Sequence, residues 1–242
     1  MSVYACSDLH GRMDLYEQIK AFLKPNDKVY FLGDAGDRGP APWELIKTIF
    51  KDDQFIYLKG NHEDMLCNAM KEYSIYECPG SEYHLLVHNG GMDTFDGWLA
   101  ENESLRASWL AALRKLPTYA TYTNADGIKV YLSHAGFTPF FYPDGTMAPP
   151  EEDDLLWSRD HFLDKWWLES NAIMVHGHTP VPYLMERICW SDEIVEPGAY
   201  WYADNHKVDI DCGAVFTGHA VLLNLDTFDE EIFIANDFVY DD

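Results

Sequence analysis

The sequence predicts an α/β protein in which two packed β-sheets are covered by outer helices. Three observations predict it: strand-like and helix-like segments alternate in the first half, the second half is richer in strands, and polar clusters follow the strands. With 242 residues and 47% apolar content, the chain can bury a large core and is not globally disordered. We expect a single domain over residues 1–242, because no linker, repeat or low-complexity tract interrupts the sequence.

The first half of the chain predicts a repeated strand–helix pattern. Short apolar runs predict strands at Val3–Cys6, Lys28–Leu32 and Phe55–Leu58. Apolar residues at helical spacing predict helices over 13–23, 42–50 and 62–73. This alternation is typical of a sheet with helices packed against it. The pattern breaks over 73–91, which we interpret as an inserted loop or lid.

The second half begins with a predicted helix over 104–116, which Pro117 ends. Two alternating runs, Tyr119–Thr123 and Ile128–Ser133, flank the dipeptide Asp126-Gly127 and predict a β-hairpin. Further apolar runs predict later strands at Ile173–His176, Val208–Asp211, Ala220–Leu225 and Glu231–Ala235.

The charge balance is strongly acidic, with 41 Asp and Glu against 17 Lys and Arg and a formal net charge of -24. Such a surface repels nucleic acid and anionic lipid, so we expect neither as a partner. A phosphorylated substrate would need local cations at its site. The acidity is compatible with solubility alone or with halophilic adaptation. No uncharged apolar run approaches the roughly 20 residues that a membrane span needs, so we expect none.

The five cysteines are odd in number and have no Cys-x-x-Cys spacing, which predicts reduced thiols and no disulfide framework. The first eight residues lack a basic segment and a cleavage site, and they read as a strand rather than an export signal. We therefore expect a cytoplasmic protein.

Polar clusters follow the predicted strands at five places, namely residues 7–11, 33–39, 60–63, 133–136 and 176–180. In open α/β sheets, ligands bind in the crevice outside the carboxyl ends of the strands, so we expect these clusters to meet there. Any one of them alone is usually a turn, with its histidine satisfied locally. Their joint occurrence in this order is the specific signal.

The side chains in these clusters are suited to metal binding. Asp8 and His10 are two residues apart, so on a strand end they share one face and can bind one ion. The clusters together supply a mixed oxygen and nitrogen set that suits two divalent first-row metals: Asp8, His10, Asp34, Asn61, His134 and His178. A carboxylate such as Asp34 can bridge ions roughly 3.5–4 Å apart, the arrangement that promotes displacement at phosphorus.

These residues resemble the calcineurin-like metallophosphoesterases, and within them the phosphoprotein phosphatase family of serine/threonine phosphatases, in its compact bacterial and phage form. The strongest matches are Asp8-Leu9-His10-Gly11, Gly33-Asp34-Ala35-Gly36-Asp37-Arg38-Gly39, Gly60-Asn61-His62-Glu63, His134-Ala135-Gly136 and Gly177-His178-Thr179-Pro180. Weaker matches are Asn89-Gly90-Gly91, Trp157-Ser158-Arg159-Asp160 and residues 211–216. The resemblance spans residues 8 to about 225.

The resemblance implies a β-sandwich flanked by helices, with a dinuclear metal site at one edge. One ion would be bound by Asp8, His10 and Asp34. The other ion would be bound by Asp34, Asn61, His134 and His178. Manganese is the metal that most similar enzymes use, with iron and zinc as alternatives.

The resemblance also implies catalytic roles for His62 and Asp37. His62 would protonate the leaving alkoxide, and Asp37 would bind His62 and hold it as an imidazolium. Arg38 and Arg159 would bind the phosphate oxygens through bidentate contacts. Lys59 departs from the family, which usually has arginine there. It would either bind phosphate as a point charge or be a solvated surface lysine.

The function that the resemblance implies is a metal-dependent phosphoester hydrolase of the serine/threonine protein phosphatase type, in which metal-bound water attacks a phosphomonoester directly. The substrate would be a phosphorylated protein or a small phosphoester. One alternative is a symmetrical diadenosine tetraphosphate hydrolase, although those enzymes tend to have aspartate where this chain has Glu63. Another is a metal-binding scaffold without turnover, which usually loses ligands or the acid histidine that this chain retains.

The remaining histidines and aromatic residues are interpreted as structural. His176 would share a face with His178, but the family pattern uses only the second histidine. His84, His88, His161, His206 and His219 have no partner at a telling spacing. Trp109 and the pair Trp166-Trp167 are predicted to lie in the core. Trp190 and Tyr200–Tyr202 either pack or form a base-stacking surface, and packing is the favoured interpretation.

Overall fold

The computed structural model describes residues 1–140, 142–163, 171–184 and 195–237, and these residues form two five-stranded sheets. The first sheet contains β1 (Val3–Cys6), β2 (Lys28–Phe31), β3 (Phe55–Tyr57), β9 (His219–Asn224) and β10 (Glu230–Ile234), in the order β10–β9–β1–β2–β3. The second contains β4 (Tyr119–Thr123), β5 (Lys129–Ser133), β6 (Ala172–His176), β7 (Tyr200–Tyr202) and β8 (Lys207–Asp209), in the order β4–β5–β6–β8–β7.

Each sheet contains three neighbouring parallel strands, β1–β2–β3 at one side of the first and β5–β6–β8 at the centre of the second. Antiparallel pairings complete both sheets, including the predicted hairpin β4–β5, in which Tyr119 is opposite Ser133. Because parallel strands end on the same side of a sheet, the loops after β1, β2 and β3 leave from one edge. The loops after β5, β6 and β8 do the same in the second sheet.

Helices join and cover the strands. They are α1 (Met13–Phe22), α2 (Pro42–Lys51), α3 (Asn61–Tyr76), α4 (Ser81–His88), α5 (Met92–Leu99), α6 (Glu103–Leu113), α7 (Glu152–Trp157) and α8 (Ala214–Thr217). Pro42 stands in the first turn of α2, where its missing N–H costs no hydrogen bond. Asn102 caps α6 by accepting a hydrogen bond from the backbone N–H of Leu105 at 3.0 Å. Among the described residues, no helix is both long and apolar enough to cross a bilayer.

The core has one layer between the sheets and another between the first sheet and its helices. Alternation along β1 separates the two layers, because Ala5 packs between the sheets and Cys6 packs toward the helices. The layer between the sheets is lined by residues from both, such as Leu32 and Val175. The α/β class with two packed sheets and outer helices is therefore confirmed.

The segment 73–91, predicted as an inserted loop or lid, is not a loop, because α3 continues to Tyr76 and residues 81–88 form α4. Leu86 is the only buried residue of α4, so the segment lacks the apolar periodicity that identifies a helix. Helices α5, α7 and α8 and strand β7 also have no counterpart in the sequence-based prediction. The other predicted elements are present, with ends that differ by a few residues.

The aromatic residues are largely structural where they are described. Trp109 is buried, as predicted, whereas Trp166, Trp167 and Trp190 lie outside the described residues. Trp201 packs against the core between the sheets, and the hydroxyl of Tyr202 hydrogen-bonds two histidine rings. The four described cysteines are free thiols.

Candidate active site

Six side chains from five loops meet where the parallel strands of both sheets end. Asp8 and His10 follow β1, and Asp34 follows β2. Asn61 begins α3 just after β3, while His134 and His178 follow β5 and β6. All six residues are buried, with at most 9% of their surface exposed.

The first group consists of Asp8, His10 and Asp34. His10 Nε2 lies 4.0 Å from Asp8 Oδ1 and 3.7 Å from Asp34 Oδ2. His10 Nδ1 lies 2.8 Å from the carbonyl oxygen of Gly36. Because a carbonyl only accepts, Nδ1 carries the hydrogen, and the lone pair of Nε2 faces the carboxylates.

The second group consists of Asn61, His134 and His178, and it adjoins the first at Asp34. Asn61 Oδ1 lies 2.7 Å from His134 Nε2 and 3.1 Å from His178 Nδ1. His134 Nε2 is also 3.4 Å from Asp34 Oδ2. His134 Nδ1 donates to the carbonyl of Leu32 at 3.0 Å, so its Nε2 is again a lone pair.

The electrostatics of these groups suit a bound cation. Burial, followed by the charges of Asp8 and Glu63, raises the pKa of Asp34 well above its usual range. Burial lowers the pKa of His10, His134 and His178, which favours the neutral imidazoles that coordinate metals. Lone pairs that face one another without a shared hydrogen repel, and a divalent cation between them removes that repulsion. The residues present therefore fit divalent metal ions.

The backbone around the site is strained. A positive φ, uncommon for residues other than glycine, occurs at six of the predicted site residues: Asp8, His10, Asp34, Asp37, Arg38 and His178. Each such residue costs on the order of 1 kcal/mol or more, and strain of this kind is concentrated at functional sites. The energetic cost of these backbone conformations is therefore concentrated where the side chains converge.

His62, Asp37 and Arg38 lie beside the first group. His62 Nδ1 donates to Asp37 Oδ2 at 2.5 Å, and His62 Nε2 points into the site, 3.9 Å from Asp34 Oδ2. The Arg38 guanidinium bridges two lone pairs, with Nη1 2.7 Å from His10 Nε2 and Nη2 2.8 Å from His62 Nε2.

The family resemblance implies a charged His62 imidazolium beside a charged Asp37 carboxylate, but the surroundings of this pair disfavour both charges. Burial, followed by the Arg38 guanidinium, lowers the pKa of His62 well below its usual range. Burial raises the pKa of Asp37 to about 7, against the opposing hydrogen bond from Thr94. Both shifts oppose an imidazolium–carboxylate pair, because removing the two groups from water disfavours both charges.

The other predicted phosphate-binding residues occupy different surroundings. Arg159 is exposed, and its Nε donates to Thr179 Oγ1 at 3.1 Å, next to His178. Lys59 is not the solvated surface lysine considered above, because only 7% of its surface is exposed. Its Nζ lies 3.3 Å from Glu152 Oε1 on α7 and 3.8 Å from Asp64 Oδ1 on α3.

The motif residue Glu63 has a structural role that the sequence analysis did not assign. Its carboxylate accepts hydrogen bonds from the backbone N–H groups of Asp34, Ala35 and Gly60 and from the hydroxyl of Tyr57, at 2.8 to 2.9 Å. It thereby fastens the Asp34 loop to the start of α3. The signal was available, because a glutamate three residues after a helix N-cap is typical of a capping box.

Thr94 on α5 is a second residue that the sequence analysis missed. It is fully buried and hydrogen-bonds both the backbone and the carboxylate of Asp37. His176, by contrast, hydrogen-bonds the Tyr202 hydroxyl at 2.6 Å from its Nε2. His161 bonds the same hydroxyl and the carbonyl of Ala135. Both histidine rings are therefore engaged in contacts with residues in or next to the second sheet.

Comparisons with known proteins relate the chain to phosphoesterases. A model of the calcineurin-like phosphoesterase family matches residues 1–222. The chain is 23% identical over 253 residues to the asymmetrical bis(5'-nucleosyl)-tetraphosphatase PrpE of Oceanobacillus iheyensis, covering 89% of this chain and 85% of that protein. It is 34% identical over 102 residues to the serine/threonine-protein phosphatase 6 catalytic subunit of Caenorhabditis elegans, covering 39% and 30%.

Among solved structures, a candidate diadenosine tetraphosphatase aligns with a TM-score of 0.62 and 16% identity, covering 98% of this chain and 94% of that one. At this identity the likeness shows the fold alone. The family match extends over most of the sequence and includes every predicted ligand loop. The chain therefore belongs to the calcineurin-like phosphoesterase family and is a phosphoric ester hydrolase that uses divalent metal ions.

Proposed function

We propose that the six converging side chains bind two divalent cations and that the enzyme hydrolyses a phosphoester or phosphoanhydride between them. The observation that carries this is the close approach of Asn61 Oδ1, His134 Nε2 and His178 Nδ1, all within 3.1 Å of one another, together with the buried Nε2 of His178, which has no hydrogen-bond partner within the described part of the chain. When bound, such ions polarise the phosphoryl oxygens and lower the pKa of water. Manganese is our proposed metal, with iron and zinc as alternatives, because the mixed oxygen and nitrogen ligand set suits divalent first-row metals.

The six side chains would be divided between two ions, with Asp34 contributing to both. Asp8, His10 and Asp34 would hold one ion. Asp34, Asn61, His134 and His178 would hold the other. The proximity of His134 Nε2 to Asp34 Oδ2, at 3.4 Å, supports the shared position of Asp34.

His62 is the proposed general acid, and Asp37 is the group that orients it. The Asp37 carboxylate accepts the Nδ1 hydrogen and leaves Nε2 facing the site, where a leaving oxygen can receive a proton. Arg38 now contacts His62 Nε2, and its charge lowers the pKa of that ring. A phosphate dianion that engages Arg38 would draw this cation away from the imidazole and so favour its protonation.

Arg38 and Arg159 are the proposed phosphate-binding residues. Two dications together with these side chains would create a positive site within a chain of net charge -24. Lys59 remains a predicted substrate contact, although its pairing with Glu152 gives it a second role in fastening α7. Residues 1–242 would act as one catalytic domain in the cytoplasm.

Dinucleoside polyphosphate is the substrate that we favour. The supporting observation is the extent of the similarity to the Oceanobacillus iheyensis tetraphosphatase, which covers most of both chains, whereas the similarity to phosphatase 6 covers 39% of this one. A phosphorylated protein is the second candidate. It rests on the higher local identity to phosphatase 6, 34%, and on the phosphatase motifs of the sequence.

A metal-reconstituted activity screen tests these proposals. The Mn²⁺-loaded protein would be given diadenosine tetraphosphate, phosphoserine, phosphothreonine and phosphotyrosine peptides, and mononucleotides at equal concentrations. We expect the highest kcat/KM with diadenosine tetraphosphate. ADP as the sole product would indicate symmetrical cleavage, and ATP with AMP would indicate asymmetrical cleavage. A preference for phosphopeptides would support the second candidate, and a folded, metal-loaded protein inert toward every substrate would support the scaffold alternative.

A further inference from the structure

The connection between α4 and α5 contacts Asp37 and Arg38, two residues whose side chains contact the His62 ring. The backbone N–H of Arg38 donates to the carbonyl of Gly90 at 3.0 Å. Gly90 has a φ of +90°, and a Cβ there would lie 2.9 Å from Arg38 Cγ. A Cβ at Gly91 would lie 3.0 Å from Asp37 Oδ1. The weakly matching motif Asn89-Gly90-Gly91 is thus explained by a close approach of this backbone to Asp37 and Arg38.

Thr94, in the first turn of α5, completes these contacts. The backbone N–H of Asp37 donates to Thr94 Oγ1 at 2.9 Å, so that the hydroxyl hydrogen is free to point elsewhere. That hydrogen is donated to Asp37 Oδ1, and Thr94 is fully buried. Asp37 Oδ1 is therefore engaged, and Oδ2 is the oxygen that accepts the Nδ1 hydrogen of His62.

We propose that Thr94 is a positioning residue for the His62 general acid, acting through Asp37. A carboxylate with one oxygen fixed cannot rotate freely, so its second oxygen holds the His62 ring in one orientation and one tautomer. That orientation directs Nε2 toward Asp34 Oδ2, at 3.9 Å. Helix α5, which the sequence did not reveal, therefore belongs to the catalytic machinery. The kinetic part of the test rests on the proposed role of His62, whereas the spectroscopic part does not.

Packing and hydrogen bonding at Thr94 can be separated by two substitutions. Thr94→Val keeps the size and branching but removes the hydroxyl, and Thr94→Ser keeps the hydroxyl but removes the methyl group. We expect Thr94→Val to lower kcat about 10- to 100-fold, as removal of supporting hydrogen bonds does in metal sites, with KM within about threefold. Thr94→Ser should retain at least about a third of the wild-type kcat. Thr227→Val, in the exposed turn between β9 and β10, is the matched control and should leave kcat unchanged.

A double-mutant cycle tests whether Thr94 acts through Asp37. In an Asp37→Ala background, Thr94→Val should lower kcat by less than about twofold, because the group that it orients is already gone. Equal losses in both backgrounds would show that Thr94 acts by another route and would overturn the inference. If Thr94→Val does not fold, Thr94→Ser and Thr94→Ala can be compared instead, because the first has a side-chain hydroxyl and the second does not.

Proton NMR of the protein loaded with Zn²⁺, which is diamagnetic and does not broaden nearby resonances as Mn²⁺ does, provides a readout that needs neither turnover nor a known substrate. The His62 Nδ1 hydrogen, bonded to a buried carboxylate, should give a downfield resonance that disappears in His62→Asn and Asp37→Ala. We expect Thr94→Ser to retain this resonance and Thr94→Val to shift or broaden it. The inference would be overturned if Thr94→Val left both the resonance and kcat unchanged. It would also be overturned if Thr94→Val and Thr94→Ser lost the resonance and kcat to the same extent. If the protein proved inert toward phosphoesters but the resonance behaved as expected, the proposed function would fail while the positioning of His62 would stand.

Discussion

His134 Nε2 lies 2.7 Å from Asn61 Oδ1, and both atoms present lone pairs. The first belongs to a loop of the second sheet and the second to the helix after β3 of the first sheet, so the contact joins the two halves of the fold. A divalent cation that coordinates both atoms would remove the repulsion between two acceptors at this distance. This pair is therefore the part of the site in which the need for a metal is most direct.

Removal of the Asn61 amide should weaken the binding of one ion more than the binding of the other. We expect Asn61→Ala to lower the affinity of the ion shared with His134 and His178 at least about tenfold, while the ion at Asp8 and His10 stays bound. Calorimetric titration with Mn²⁺ measures both sites. Asn68→Ala, exposed on the same helix, is the control and should retain both affinities. Simultaneous loss of both ions in Asn61→Ala would contradict the assignment of ligands.

Loss of the acid at His62 should affect the chemical step rather than binding. We expect His62→Asn to lower kcat about 10²- to 10⁴-fold on a substrate with a poor leaving group, with a smaller change in KM. The loss should be smaller for p-nitrophenyl phosphate, because its leaving group needs little protonation. His84→Asn, exposed on α4, is the control. An equal loss for good and poor leaving groups would exclude His62 as the acid.

Gly60 is required by the close approach of its backbone to a predicted ligand. A Cβ at Gly60 would lie 2.1 Å from Asp34 Oδ1 and 2.7 Å from the backbone nitrogen of Asp34. We therefore expect Gly60→Ala to displace Asp34 and to lower metal affinity at least about tenfold. Gly127→Ala is the control, because φ is +77° there and a Cβ would meet nothing within 4 Å. It should cost about 1 kcal/mol of stability and leave metal binding unchanged, and equal metal affinities in the two variants would contradict this explanation.

Asp52 lies outside the active site and should make the stability of the fold depend on pH. Burial alone would raise its pKa, but hydrogen bonds from Lys20 and Tyr16 lower it below its usual range. A carboxylate with a lowered pKa stabilises the fold above its usual pKa, and this contribution is lost as the pH falls through the lowered value. We expect Asp52→Asn to reduce the free energy of unfolding by about 1 kcal/mol at pH 7 and by less near pH 3, measured in urea. The exposed neighbour Asp53→Asn is the control, and a difference that grows toward low pH would contradict the sign.

The sequence predicted the elements in which local pattern and tertiary contacts agree. Val3–Cys6 and the hairpin around Asp126-Gly127 combine clear periodicity with clear turns, and both are present. The convergence of Asp8 with His178 could also be anticipated, because polar loops after parallel strands share one edge. In the structure, the backbone N–H of His178 donates to Asp8 Oδ2 at 3.1 Å.

Features that depend on three-dimensional surroundings could not be predicted. Thr94 is 57 residues from Asp37, and no spacing rule links a threonine to a distant carboxylate. The lowered pKa of His62 and the raised pKa of Asp37 follow from burial, which the motif alone does not report. Lys59 is adjacent to the Gly60 motif, yet its burial and its contact with Glu152 depend on where α7 packs.

A crystal structure of the protein grown with Mn²⁺, with anomalous scattering recorded at the manganese edge, is the most direct measurement. We expect two anomalous peaks roughly 3.5–4 Å apart, both in contact with Asp34, one beside His10 and the other beside Asn61 and His134. A single peak, or peaks away from these side chains in a protein that is active with Mn²⁺, would contradict the two-cation site.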